Sequence, residues 1–76
     1  MPYNDLDSVV LLHSLKGRDL YGDTQVSAKA GQLATVINVF PDNTYEVEFD
    51  DDKAESGYGV LYAREADLAP YVKNAV

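Results

Sequence analysis

The most regular pattern in the chain lies between Gln32 and Asp50. Tyr45-Glu46-Val47-Glu48-Phe49-Asp50 alternates apolar and acidic residues, the period-two signature of a strand with one buried face. Upstream, Gln32-Leu33-Ala34-Thr35-Val36-Ile37-Asn38-Val39-Phe40 is rich in β-branched residues, and Pro41-Asp42-Asn43-Thr44 supplies the turn. Pro41 presets φ at the first turn position and Asn43 tolerates a positive φ, so a three-residue loop makes a bulged hairpin. The predicted register sets Val39 against Tyr45, Ile37 against Val47 and Thr35 against Phe49. Ile37, Val39, Tyr45, Val47 and Phe49 then point inward, while Glu46, Glu48 and Asp50 stay in water. Val36 and Phe40 fall on the outer face. A one-residue slip would set Ile37 and Val39 on the side of the carboxylates, which disfavours it.

The other segments read as short strands separated by turns. Ser8 to His13 is nearly all apolar and predicts a strand covered on both faces. A long loop over residues 14–30 follows, with Gly17, Asp19, Gly22 and Asp23; loops of that length are commonly functional. Leu15, Leu20 and Tyr21 are expected to pin it down. Asp50 to Gly57 reads as an acidic turn and Tyr58 to Ala63 as a strand, with Gly59 allowing a kink. Arg64 to Ala69 predicts one helical turn stopped by Pro70, with Leu68 closing the end of the core. The expected domain is single over 1–76, with a core at about 6–69 and a fraying tail over 70–76. No long amphipathic helical period is present, and the pattern predicts an all-β sheet or barrel.

Composition narrows the chemistry. The 76 residues suit one domain, and without cysteine neither disulfides nor Cys-based zinc sites support it. Net charge is −7, unevenly spread: residues 1–38 carry −1 and residues 39–76 carry −6. That half would repel phosphate backbones and anionic membranes. The longest apolar run, Val9-Val10-Leu11-Leu12, is far too short to span a bilayer. Met1-Pro2-Tyr3-Asn4-Asp5 does not read as a secretory leader. A cytoplasmic location is expected.

Four segments carry a family resemblance: Leu6 to Leu12, Ala30 to Ile37, Tyr45 to Phe49 and Glu65-Ala66-Asp67-Leu68. They resemble a family of short, uncharacterised bacterial proteins of SH3-like fold, which carries a domain-of-unknown-function label. Gly31 to Phe49 is more loosely similar to the hairpin of KOW-type SH3-like domains of translation and transcription. The resemblance implies a small five-stranded SH3-like barrel with one short helical turn near the C-terminus. It is nearly silent on activity. KOW-type hairpins favour glycine where this chain has Ala34, and the 14–30 loop is longer than usual in the family.

No constellation for catalysis emerges. His13 is the sole histidine, which leaves no histidine pair for a metal or for base and orienter. Ser8 and Ser14 lie near it in sequence, without the strand–elbow–helix context of a serine nucleophile. Asp50, Asp51, Asp52 and Glu55 lack the alternating ligands and central glycine of a calcium loop. No enzyme activity, cofactor or metal is expected.

Six tyrosines exceed what so small a core holds, and tyrosine suits interfaces. The expected partner surface comprises Tyr21, Tyr58 and Tyr62 with Glu46, Glu48, Asp50, Asp51 and Asp52; Tyr21 and Tyr58 are pictured as flanking one groove. The leading expectation is a protein-interaction module or accessory subunit, with self-association as a homodimer an open alternative. Two others compete. One is a KOW-like nucleic-acid binder, disfavoured because only Lys16, Arg18 and Lys29 could form a basic patch. The other is an acidic mimic that occupies the nucleic-acid site of a basic protein.

Overall fold

The alternation along β5 (Thr44–Asp50) organises the chain. Tyr45, Val47 and Phe49 are buried, while Glu46, Glu48 and Asp50 take the opposite face. The computed structural model describes residues 3–72. β4 (Leu33–Val39) precedes β5 and pairs with it antiparallel. In the connecting turn, Asn43 N–H donates to the Phe40 carbonyl (3.1 Å) and Phe40 N–H to the Thr44 carbonyl (2.9 Å). Asn43 has φ +66°, the left-handed residue that the three-residue loop requires.

Val39 faces Tyr45, as the alternation predicts, but the register then departs. Val36, not Ile37, opposes Val47, and Thr35 opposes Glu48 rather than Phe49, with a bulge between Val36 and Asn38. Val36 is fully buried, not on the outer face, whereas Ile37 is half-buried and Val39 is exposed rather than inward-facing. The cause lies in the run Val36-Ile37. A bulge takes up one residue, so Val36 and Ala34 turn into the core while every carboxylate on β5 stays outside.

β6 (Tyr58–Arg64) completes a meander, placing Gly59, Leu61 and Ala63 opposite Phe49, Val47 and Tyr45. A Cβ on Gly59 would collide with the Phe49 ring, so the core itself demands glycine there. β1 (Ser8–Leu11) pairs with β4 and buries Val9 and Leu11. Its expected two-sided burial stops short: Val10 is half-buried, and Leu12 and His13 are exposed beyond the strand.

The long loop is not structureless. It contains β2 (Leu15–Asp19) and β3 (Gln25–Ala28), an antiparallel hairpin. β2 joins it to β6 through Arg18 opposite Val60 and Asp19 opposite Gly59. The inward positions of β2 are Leu15, Gly17 and Asp19, so no apolar alternation marks it as a strand. A Cβ on Gly17 would strike the Val60 carbonyl, which keeps β2 close against β6.

The C-terminal segment also differs from expectation. A 3₁₀ turn spans only Glu65–Asp67, and β7 (Leu68–Pro70) follows and pairs with β1. Pro70 therefore sits in an edge strand opposite Val9, where a missing N–H is tolerated. Tyr71 N–H still donates to Ser8 (3.2 Å), so the expected tail is tied down there; its residues 73–76 lie outside the described residues. Leu68 is buried as predicted. Among the described residues the sheet has seven antiparallel strands, not five, in the order β3-β2-β6-β5-β4-β1-β7. It is not closed: β3 and β7 are its edges. No helix among the described residues is long and apolar enough to cross a membrane.

The core also reaches beyond the expected 6–69. Tyr3 is buried and packs edge-on against Tyr45, with ring centroids 5.4 Å apart. Burial pushes the Tyr3 phenol above its ordinary pKa, and the Glu65 charge adds to this. The Tyr45 hydroxyl is buried with no hydrogen-bond partner among the described residues, and such a group costs about 1–3 kcal/mol. Tyr45→Phe is expected to raise stability by about 1 kcal/mol, read as a higher denaturant midpoint at unchanged slope. A lowered midpoint would show that the hydroxyl contributes to the fold.

Candidate functional site

The β5–β6 register gathers most of the predicted contact residues on one outer face. Asp50 lies opposite Tyr58, Glu48 opposite Val60 and Glu46 opposite Tyr62. Each pair sits at side-chain contact distance across the ladder. The result is a striped surface, acidic along β5 and mainly apolar along β6. Val60 is fully covered, and Arg18 of β2 is its neighbour on the far side.

Tyr62 is the centre of this face. It is 60% exposed, yet its ring meets Phe40 with centroids 5.9 Å apart and planes at 49°. Opposite it, Glu46 accepts a 2.7 Å hydrogen bond from Asn38 Nδ2, and Arg18 Nη2 stands 4.0 Å from Glu46 Oε2. The bulge that turns Val36 inward is followed by Asn38 on the Glu46 side. A groove of about 240 Å³ runs beside Tyr62, with Gly17 and Val60 in its floor and Lys16, Arg18 and Gln25 on its walls.

The remaining predicted residues scatter around this face. Tyr21 is 78% exposed at the tip of the β2–β3 hairpin. Leu20 N–H donates to the Tyr58 carbonyl at 3.2 Å, which brings the tip beside the start of β6. Asp51 Oδ1 accepts from the Lys53 N–H at 2.9 Å, so Asp51 shapes its own turn. Asp51 and Asp52 line a separate cleft of about 410 Å³, opposite Ser27 and Lys29. His13 Nε2 lies 3.9 Å from Asp67 Oδ1. Asp67 Oδ2 meanwhile accepts from the Arg64 N–H at 3.0 Å, which occupies that carboxylate in the 3₁₀ turn. Among the described residues no group of three or more His, Asp and Glu is arranged to hold a metal ion.

Asp19 is the polar residue that sequence reasoning passed over. It is 3% exposed. Its carboxylate accepts from Tyr21 N–H at 3.0 Å, Glu55 N–H at 2.6 Å and Ser56 N–H at 3.4 Å. It therefore closes its own hairpin tip and also clamps the 51–57 turn onto the β2–β3 arm. Hydrogen bonding from Ser56, then from Tyr21, outweighs burial and holds this carboxyl below the ordinary 3.8. The one sequence signal was an Asx-type turn residue followed by Gly22, which does not announce a contact 36 residues away.

Because the folded-state pKa is depressed, Asp19 contributes stability that is complete above the ordinary carboxyl value and disappears as pH falls through the folded one. Asp19→Asn is expected to destabilise the domain at neutral pH. The gap to the unsubstituted protein should narrow as pH drops below 3.8, measured by denaturant titration at several pH values. A gap independent of pH would assign the effect to something other than the carboxylate charge. Comparison with family models, curated proteins and solved structures gives no match to this chain.

Proposed function

We propose that the chain is a non-catalytic protein-interaction module that offers the outer face of β5–β6, centred on Tyr62, to a protein partner. The observation that carries the reading is the state of Tyr62: a large ring, mostly in solvent, but held against Phe40. An aromatic side chain with a polar tip and little freedom left to lose is well suited to anchor an interface. The groove beside it and the fixed Glu46 carboxylate give a partner an apolar recess with a polar rim. An SH3-like assignment fits the same picture. We read β1 and β4–β7, with the 3₁₀ turn before β7, as the five strands and short helical turn of an SH3-like unit, and β2–β3 as an added arm.

A second reading, an acidic mimic of nucleic acid, draws on Glu46, Glu48 and Asp50 sharing one strand face. Arg18 beside Glu46 and the tyrosines opposite Glu46 and Asp50 make that face amphipathic rather than a bare anionic row. This favours the first reading. Direct nucleic-acid binding would have to place a phosphate backbone near the same carboxylates.

Selection from a displayed random-peptide library, repeated with Tyr62→Ser, tests the proposal. Enriched ligands should bind the substituted protein about tenfold or more weakly. Ligands indifferent to Tyr62, or retardation of nucleic acid in place of any peptide ligand, would contradict it.

A further inference from the structure

We infer that the free edge of β3 receives an extended acidic segment of a protein partner as an added strand. The inference rests on the reading of the chain as an interaction module and names a second surface with its class of ligand. Asp19 N–H donates to the Thr24 carbonyl at 2.8 Å and closes the β2–β3 hairpin. Hydrogen-bonded and non-hydrogen-bonded pairs alternate along an antiparallel ladder. Gly17–Val26 and Leu15–Ala28 are then the bonded pairs, and Arg18–Gln25 and Lys16–Ser27 the unbonded ones. The N–H and C=O groups of Gln25 and Ser27 consequently point away from β2, along the open edge of the sheet. Both residues are exposed.

Edges left open in this way are normally blunted by proline, charge or a bulge. β7 carries such a device in Pro70. β3, Gln25-Val26-Ser27-Ala28, has neither proline nor charge. It is also held in place before any partner arrives: the Gly17 backbone packs on Val60 and the Asp19 carboxylate ties the arm to the 51–57 turn. A fixed edge lowers the ordering cost of strand addition.

Charge selects the occupant. Lys16, Arg18 and Lys29 are half of the chain's six cations. Lys16 and Arg18 share the outer face with Gln25 and Ser27, and Lys29 follows the strand. An added strand would lie about 5 Å from β3, so its outward side chains come within reach of the long Lys16 side chain, whereas Arg18 is turned the other way, toward Glu46. Toward the 51–57 turn, the cleft that contains Ser27 is lined by Asp50, Asp51 and Asp52 against Lys29 and Lys53, a mixed lining that suits uncharged side chains there. The matching ligand alternates acidic residues with uncharged ones. A second copy of this chain fits less well, because pairing two β3 edges sets like cations side by side.

The probe is a synthetic peptide alternating glutamate with valine, compared with its lysine counterpart and titrated against the full chain. The glutamate peptide should bind saturably and slow the hydrogen exchange of the Gln25 and Ser27 amides. Lys16→Glu should weaken binding about tenfold. Ser27→Pro removes an edge N–H without touching the β2 ladder and should abolish binding. N-methylation of the peptide's ladder-side amides should do the same with the unsubstituted protein, which guards against misfolding of the proline variant. No saturable binding up to about millimolar peptide, equal binding of the lysine peptide, or full binding by Ser27→Pro would overturn the inference. So would a dimer that Ser27→Pro converts to monomer, since the edge would then serve a second copy. A library ligand that needs Tyr62, together with no saturable binding of the glutamate peptide, would remove this inference and leave the interaction module standing.

Discussion

Glu46, Glu48 and Asp50 alternate with Tyr45, Val47 and Phe49 along β5, and the rest of the structure accommodates that alternation. Moving such carboxylates into the core without partners would cost on the order of several kcal/mol each. The inward set offers two large aromatic rings and a valine in compensation for ordering the strand. β5 is also central, with β4 on one side and β6 on the other. Its face therefore dictates which residues of both neighbours turn inward. β4 answers with a bulge at Ile37 that sends Val36 inside. β6 answers with Gly59, whose missing side chain leaves room for Phe49.

The same constraint creates the outer surface. Once the carboxylates of β5 are committed to the outer face, where the Glu46 side chain is only 12% exposed beside Arg18 and Asn38 rather than fully in water, the ladder places Tyr58 and Tyr62 directly across from Asp50 and Glu46. The arm formed by β2 and β3 then extends this face beyond β6, contributing Arg18 next to Glu46. Asp19 makes the arm part of the domain rather than a loose flap, because its buried carboxylate is shared between the hairpin tip and the 51–57 turn. Core packing, the aromatic face and the open β3 edge are thus linked through neighbouring strands of one sheet.

The all-β class, the Asn43 turn and the facing of β5 were legible in the sequence, because each rests on a local rule: period-two alternation, turn chemistry and the cost of burying charge. The bulge was not legible, because Val36 and Ile37 are equally apolar and only the packing beneath β5 chooses between them. β2 escaped notice because its inward positions include a glycine and an aspartate. Both are there for contacts with distant residues, Val60 and Ser56, which no local pattern encodes. The candidate contact residues fared in the same way. Tyr58, Tyr62, Glu46, Glu48 and Asp50 share a face by register, whereas Asp51 serves its turn and Tyr21 owes its position to the Leu20–Tyr58 hydrogen bond.

The facing of β4 against β5 is best tested by cross-strand proton contacts in the isotope-labelled protein, measured by NMR in solution. The account predicts close contacts between Val36 and Val47 and between Val39 and Tyr45, with Ile37 lacking a directly opposed residue on β5. Ile37 found opposite Val47, with Val36 in water, would contradict the bulge and with it the outer face built on Asn38, Glu46 and Tyr62.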